Sequence, residues 1–191
     1  MGTIGHVKED YMKRRILTLT IAIICMIMCE NSVKANGGAP YIEGIPLSFD
    51  IQEYIWNTGL ENEIDPYLIY AMIEVESGYD AGAVSEDNHD YGLMQIRTIN
   101  HSWINDALDD ELDYLNAKDN IAAGIFLLSE LYDNYYDNSG IHCVLMAYNM
   151  GEGGAEVLWE EGQFSTKYSK KVVDVYEEIK TKGKAYMFNP R

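Results

Sequence analysis

Cysteine, basic side chains and long apolar runs are all scarce in this 191-residue sequence. Of three cysteines, Cys25 and Cys29 fall in one short apolar stretch, leaving Cys143 with no partner for an internal disulfide beyond it. Stability must then come from a packed core. Cys143 lies in the apolar stretch IHCVLMAYN, which suits a buried, inert thiol better than a nucleophile. Lysine and arginine number 14 against 31 acidic side chains, a formal net charge of −17. Such a chain lacks the basic face needed to displace counterions from nucleic acid, and it cannot adhere to an anionic surface through charge. Four histidines, at positions 6, 89, 101 and 142, show no metal-ligand spacing, so no zinc site is expected. The acidic stretches DNHD and DDELD lack the loop pattern of a dedicated calcium site. No Gly-x-Ser-x-Gly elbow occurs, and GEGG at 151–154 follows a helical pattern rather than a strand. No cofactor is called for.

One uncharged apolar run stands out, ILTLTIAIICMIMC at 16–29. As a helix it spans about 21 Å, short of a hydrocarbon core of about 30 Å. Lys13, Arg14 and Arg15 precede it, and Val33-Lys34-Ala35 follows. Residues 1–35 therefore read as a secretory signal cleaved after Ala35, or as an uncleaved anchor tethering the chain through 16–29. Either reading places the remainder outside the cytoplasm.

What is abundant is core material: 47% of residues are hydrophobic and 12% aromatic, enough for one folded domain. Residues 36–47, NGGAPYIEGIPL, hold three glycines and two prolines and read as a linker. From Ser48 the pattern turns helical, to near Gly59. Asp65-Pro66 opens a second helix as cap and first-turn residue, and Gly78 closes it. Positions 85–116 are broken by Asn88, Gly92 and Asn100 and read as loops with short helices. An amphipathic helix is expected over 117–135, with a turn at DNYYDNSG. Another covers 141–149, stopped by Gly151, Gly153 and Gly154, and a last runs over 168–180. With little strand alternation the class is mainly α, a single domain over 48–182 with a tail at 183–191.

EVESGYD, at 74–80, places two glutamates at the end of the second helix. With about 100° of rotation per residue and Leu68 at zero, Val75, Met72 and Ala71 form the inward arc. Glu76 falls near 80°, at the edge of that arc, and Glu74 near −120°, in solvent. Burial and the negative end of the helix both disfavour the Glu76 carboxylate, so its pKa is expected to rise. A glutamic acid still protonated near neutral pH can donate to a leaving oxygen.

Four segments then carry a resemblance. IDPYLIYAMIEVESGYD, AVSEDNHDYGLMQI, DNIAAGIFLL and MAYNMGEGG follow one another in an order that resembles the lysozyme-like lytic transglycosylases of the soluble-transglycosylase type. The resemblance runs from about 64 to 168. It implies a mainly helical, lysozyme-like fold with a glycan-binding groove, and peptidoglycan glycan strands as substrate. By the same resemblance Glu76 matches the family's acid, and Tyr148 the tyrosine whose hydroxyl lies near it. Ser77, Gly92, Met94, Gln95 and Asn149 match substrate-side positions. Gly92 would let backbone approach glycan, and the Met94 thioether would pack on a sugar face. Asp90 is a departure, standing where the family often has alanine. A hydrolytic N-acetylmuramidase of the same fold and a non-catalytic glycan-binding or assembly module remain open alternatives. Partners in cell-envelope machinery fit the reading.

Overall fold

The structure, a computed structural model, describes residues 39–187. The expected signal or anchor at 1–35 and the last residues of the tail lie outside them. Among the described residues no helix is long and apolar enough to cross a membrane.

Seven helices and one small hairpin make up the described residues, in the order α1 (Phe49–Glu61), α2 (Pro66–Ser77), β1 (Asp90–Tyr91), β2 (Ile96–Arg97), α3 (Thr98–Leu108), α4 (Ala117–Ser139), α5 (Ile141–Met150), α6 (Glu152–Glu160) and α7 (Lys167–Met187). The class is mainly α, as expected. The centre is α2, whose residues from Pro66 to Ile73 are all buried. It is therefore a core helix apolar on every side until its last turn, where Glu74 is exposed and Glu76 half-buried. Its ends form for local reasons. The Asp65 side chain accepts from the Tyr67 N–H, Pro66 needs no amide partner in the first turn, and Gly78 takes the left-handed conformation at φ 61°.

Helix α7 packs along α2 more extensively than any other helix pair, with α5 against α4, α6 and α7, and α1 against α2 and α4. Side-chain contacts tie α2 and α7 near both ends. Tyr176 and Lys180 reach Asp65 Oδ2, each at 2.8 Å, while Tyr168 reaches Glu76. The two helices are thereby antiparallel, and α7 holds both ends of α2.

Several expectations change. Residues 39–47 are docked rather than a free linker: Ile42 and Ile45 are buried in the core. The fully buried Gln52 amide fastens them, accepting from the Ile42 N–H at 2.8 Å and donating to the Leu47 carbonyl at 3.0 Å. Helix α4 runs on through DNYYDNSG to Ser139; there Tyr132 and Tyr136 stack at one-turn spacing with centroids 4.7 Å apart, and Tyr135 donates to Glu152 at 2.9 Å and packs on Trp159. Gly151, at φ 76°, breaks α5 as expected, yet the chain resumes at once as α6, anchored by buried Ala155. The loop region holds the hairpin, β1 antiparallel to β2 with Asp90 opposite Arg97 and Tyr91 opposite Ile96, and the 11-residue helix α3.

Candidate active site

The last turn of α2 brings Glu76 to a place where three other elements meet. Tyr168, in the first turn of α7, donates its hydroxyl to Glu76 Oε1. That turn is fixed by a reciprocal cap: the Thr166 N–H donates to Ser169 Oγ at 2.9 Å and the Ser169 N–H to Thr166 Oγ1 at 3.2 Å. Ser169 Oγ also lies 3.0 Å from His142 Nδ1 on α5, so α5 and the α7 start are coupled.

Burial pushes the Glu76 pKa up to about 7; the Tyr168 hydrogen bond and Lys171 oppose that rise, and the charge of Asp90 adds to it. A carboxyl so placed can hold or release its proton near neutrality. Burial, with the charge of Glu76, drives the Tyr148 and Tyr168 hydroxyls far above the ordinary phenol value, so both stay protonated donors. Glu74, in contrast, is exposed and accepts from the Tyr79 hydroxyl at 3.2 Å.

Tyr148, on α5, does not bond the acid. Its hydroxyl donates to the Met94 carbonyl at 2.9 Å, and the charge of Glu76 acts on that hydroxyl. The hydrogen bond to the carboxyl comes from Tyr168, a residue the sequence reading did not single out. No local pattern distinguishes Tyr168 from the other tyrosines; its role depends on a contact between residues 92 positions apart.

The turn between β1 and β2 delivers that carbonyl, and its own support is interior. Asn120, fully buried on α4, accepts from the Met94 N–H at 2.8 Å and donates to the Tyr91 carbonyl at 2.8 Å and the Tyr114 carbonyl at 2.9 Å. Gly92, at φ 74°, makes room for this amide and not for glycan. A Cβ there would sit 2.3 Å from Asn120 Nδ2 and 2.4 Å from the Tyr114 carbonyl oxygen. The Met94 side chain is likewise fully buried, against Gly124, so its thioether fills core rather than meeting a sugar.

The three other expected positions are exposed or half-buried. Asn149 is exposed at the end of α5. Half-buried Gln95 spends its amide hydrogens on the carbonyls of Gly92, at 2.9 Å, and Ala83, at 3.3 Å, leaving its oxygen as acceptor. Ser77 donates back to the Ile73 carbonyl at 3.2 Å and retains acceptor capacity.

The structure thus has a carboxyl of raised pKa, with a tyrosine on it, at the end of a buried helix, and a hairpin turn held by a buried asparagine. Against known families, the model of the transglycosylase SLT domain matches residues 53–171. The chain belongs to the transglycosylase SLT domain family. The match extends beyond the segments that carry the resemblance in the sequence, taking in most of α1 and the start of α7. Among solved structures, the SLT domain is similar to an inactive mutant of the lytic transglycosylase Slt from Pseudomonas aeruginosa, at 17% identity and a TM-score of 0.58 over 74% of this chain. It is also similar to the 70 kDa soluble lytic transglycosylase from Escherichia coli, at 18% identity and a TM-score of 0.52 over 72% of this chain. These likenesses establish the fold. The chain spans about a quarter of the length of each, 25% and 23%.

Proposed function

We propose that the protein is an exported lytic transglycosylase acting on peptidoglycan. It would cleave the β-1,4 bond between N-acetylmuramic acid and N-acetylglucosamine and leave a 1,6-anhydromuramoyl end. The observation that supports this best is Glu76, a carboxyl whose burial pushes its pKa up to about 7 at the end of the core helix of an SLT domain. In this reading Glu76 gives its proton to the glycosidic oxygen as the C1–O bond breaks, its electron pair leaving with the oxygen. The carboxylate then takes the proton of the muramoyl C6 hydroxyl, whose oxygen closes on C1. One group serves as acid and base, unlike the two-carboxylate arrangement of most glycoside hydrolases. Ser77, Gln95 and Asn149 offer the polar atoms for sugar and acetamido groups, while Gly92 and Met94 support them from inside. Export and any tether rest on residues 1–35.

Mass spectrometry of glycan digested by the purified protein tests the reading. Anhydro products, lighter by one water than hydrolysed ones, are expected. Hydrolysed ends alone would make the protein a muramidase, and intact glycan would leave a binding module.

Tyr168 supplies a second test. Tyr168→Phe removes the hydrogen bond that lowers the Glu76 pKa, so the alkaline limb of kcat/KM should move to higher pH. Loss of orientation should also reduce kcat about tenfold, the worth of one hydrogen bond to a charged group. An unmoved limb in a pH–rate profile would remove Tyr168 from the site.

A further inference from the structure

Gln52, Asn120 and Ser169 are polar residues that are fully buried. Gln52 fastens residues 39–47 and Asn120 holds the hairpin turn, each with its oxygen and both amide hydrogens engaged. Ser169, next to Tyr168, has a task of the same kind. From 156 to 171 it is the one buried residue, and 160–164, the segment leading into α7, is exposed throughout. The start of α7 therefore enters the core at Ser169, through hydrogen bonds rather than apolar packing. Its hydroxyl meets three groups: the Thr166 N–H at 2.9 Å, His142 Nδ1 at 3.0 Å and the Thr166 carbonyl at 3.3 Å. A hydroxyl has one hydrogen and two lone pairs. The Thr166 amide can only donate, so it takes one lone pair. If the hydroxyl hydrogen goes to the Thr166 carbonyl, the second lone pair is left for His142, whose Nδ1 must then carry hydrogen. The opposite tautomer would draw the hydroxyl hydrogen to His142, give up the bond to the carbonyl and leave a lone pair idle in the core. Full use of buried polar atoms, as at Gln52 and Asn120, selects Nδ1–H.

We propose that His142 is a positioning residue for the tyrosine on the acid: it carries hydrogen on Nδ1, donates it to Ser169 Oγ, and so fixes the first turn of α7 that sets Tyr168 on Glu76. Its use in the reaction rests on the transglycosylase reading above; the hydrogen bond itself does not. The fixed end is α5, whose residues from Cys143 to Ala147, directly after His142, are all buried. The end it holds is the reciprocal cap of Thr166 and Ser169, which orients the first turn of α7. Adjacent helix positions differ by about 100°. With Ser169 turned inward to His142, Tyr168 is swung to the side where its hydroxyl reaches Glu76 Oε1. Tyr176 and Lys180 grip Asp65 at the opposite end of α2. They hold the axis of α7 but lie about two turns or more beyond Tyr168, too far to set its first turn. The order of contacts is His142, Ser169, Tyr168, Glu76. Protonation of the other imidazole nitrogen leaves Nδ1–H in place, so the contact persists in either charge state of the ring.

Nitrogen NMR of the unaltered chain, with the His142 ring assigned by its loss in His142→Asn, should show hydrogen on Nδ1 in the neutral ring. Hydrogen on Nε2 alone overturns the proposal, whatever the activity. The positioning role is read from His142→Ala, His142→Asn, Tyr168→Phe and the His142→Ala/Tyr168→Phe double variant. An asparagine amide donates from nearly the place of Nδ1 and is uncharged, so it separates placement from ring charge. Carbon NMR of the Glu76 carboxyl without substrate should show His142→Ala moving the titration to higher pH, the direction set by loss of the Tyr168 bond, and His142→Asn bringing it back. On purified peptidoglycan, kcat of His142→Ala should fall about 3- to 10-fold with KM little changed, the worth of one weakened hydrogen bond. Combined with Tyr168→Phe it should cost little more, because the group it positions has gone. Losses that multiply independently in the double variant, or no rescue by His142→Asn, would reduce His142 to a packing residue and overturn the proposal. Both NMR readings need no turnover. Intact glycan with Nδ1–H and the expected Glu76 titrations would remove the transglycosylase reading alone and keep His142 as the residue that sets Tyr168.

Discussion

Glu76→Gln should abolish turnover and stabilise the fold at the same time. Cleavage of glycan is expected to fall by about 100-fold or more, the usual worth of a general acid, while glycan binding is retained because shape and the Tyr168 contact survive. The stability gain follows from the raised pKa. A carboxyl at about 7 in the native state and near its ordinary 4.5 when unfolded keeps a proton that the unfolded chain has lost. Its stabilising contribution is complete below pH 4.5 and disappears as pH rises through 7. Above that, the ionised Glu76 costs at most about 3 kcal/mol, and nearer 2 once partial solvent contact is allowed for. Glutamine carries no such cost. At pH 8 the variant should therefore melt about 4–8 °C higher than the wild type, and the two should converge toward pH 4. Activity within tenfold of wild type, measured at the wild-type optimum, would remove Glu76 from the chemistry.

Much of this site can be read in the residues because its main determinants are local. The caps of α2, Asp65-Pro66 and Gly78, are nearest-neighbour effects, and helical rotation alone separates half-buried Glu76 from exposed Glu74. Periodicity fails where burial is complete. Helix α2 is apolar all round through Ile73, so no single stripe describes it. Asparagine and serine as helix stops mislead where tertiary contacts intervene. DNYYDNSG stays helical to Ser139 with its Tyr135 bonded to Glu152 at 2.9 Å and packed on Trp159, both on α6, which itself forms directly after Gly151. The hairpin strands are two residues each, too short for any alternation to show. Tyr168 and Asn120 act through partners far away in sequence. For Gly92 and Met94, matching a motif indicates position near the site but not which way the residue faces. Both proved to support the hairpin turn from inside.

That interior support should make Asn120→Ala the most destabilising of these substitutions. One buried amide satisfies three backbone groups, the Met94 N–H and the carbonyls of Tyr91 and Tyr114. Truncation leaves all three in the core without it, at about 1–3 kcal/mol each, and partial relaxation brings the total to about 3–5 kcal/mol. Gly92→Ala attacks the same contact from the other side, since its Cβ would press on Asn120 Nδ2 and the Tyr114 carbonyl at a positive φ. A cost of about 3 kcal/mol or more is expected there too, because one of the two obstacles is backbone. The variants share partners, so the double mutant should lose clearly less than the sum of the two. Urea denaturation of all three with the wild type reads this coupling directly. Additive losses would mean that Gly92 and Asn120 act independently, and the turn that presents the Met94 carbonyl to Tyr148 would then need some other support. Coupled losses would tie the turn to the core through one amide: α4 holds the turn, the turn holds the Tyr148 hydroxyl, and the charge of Glu76 acts on that hydroxyl.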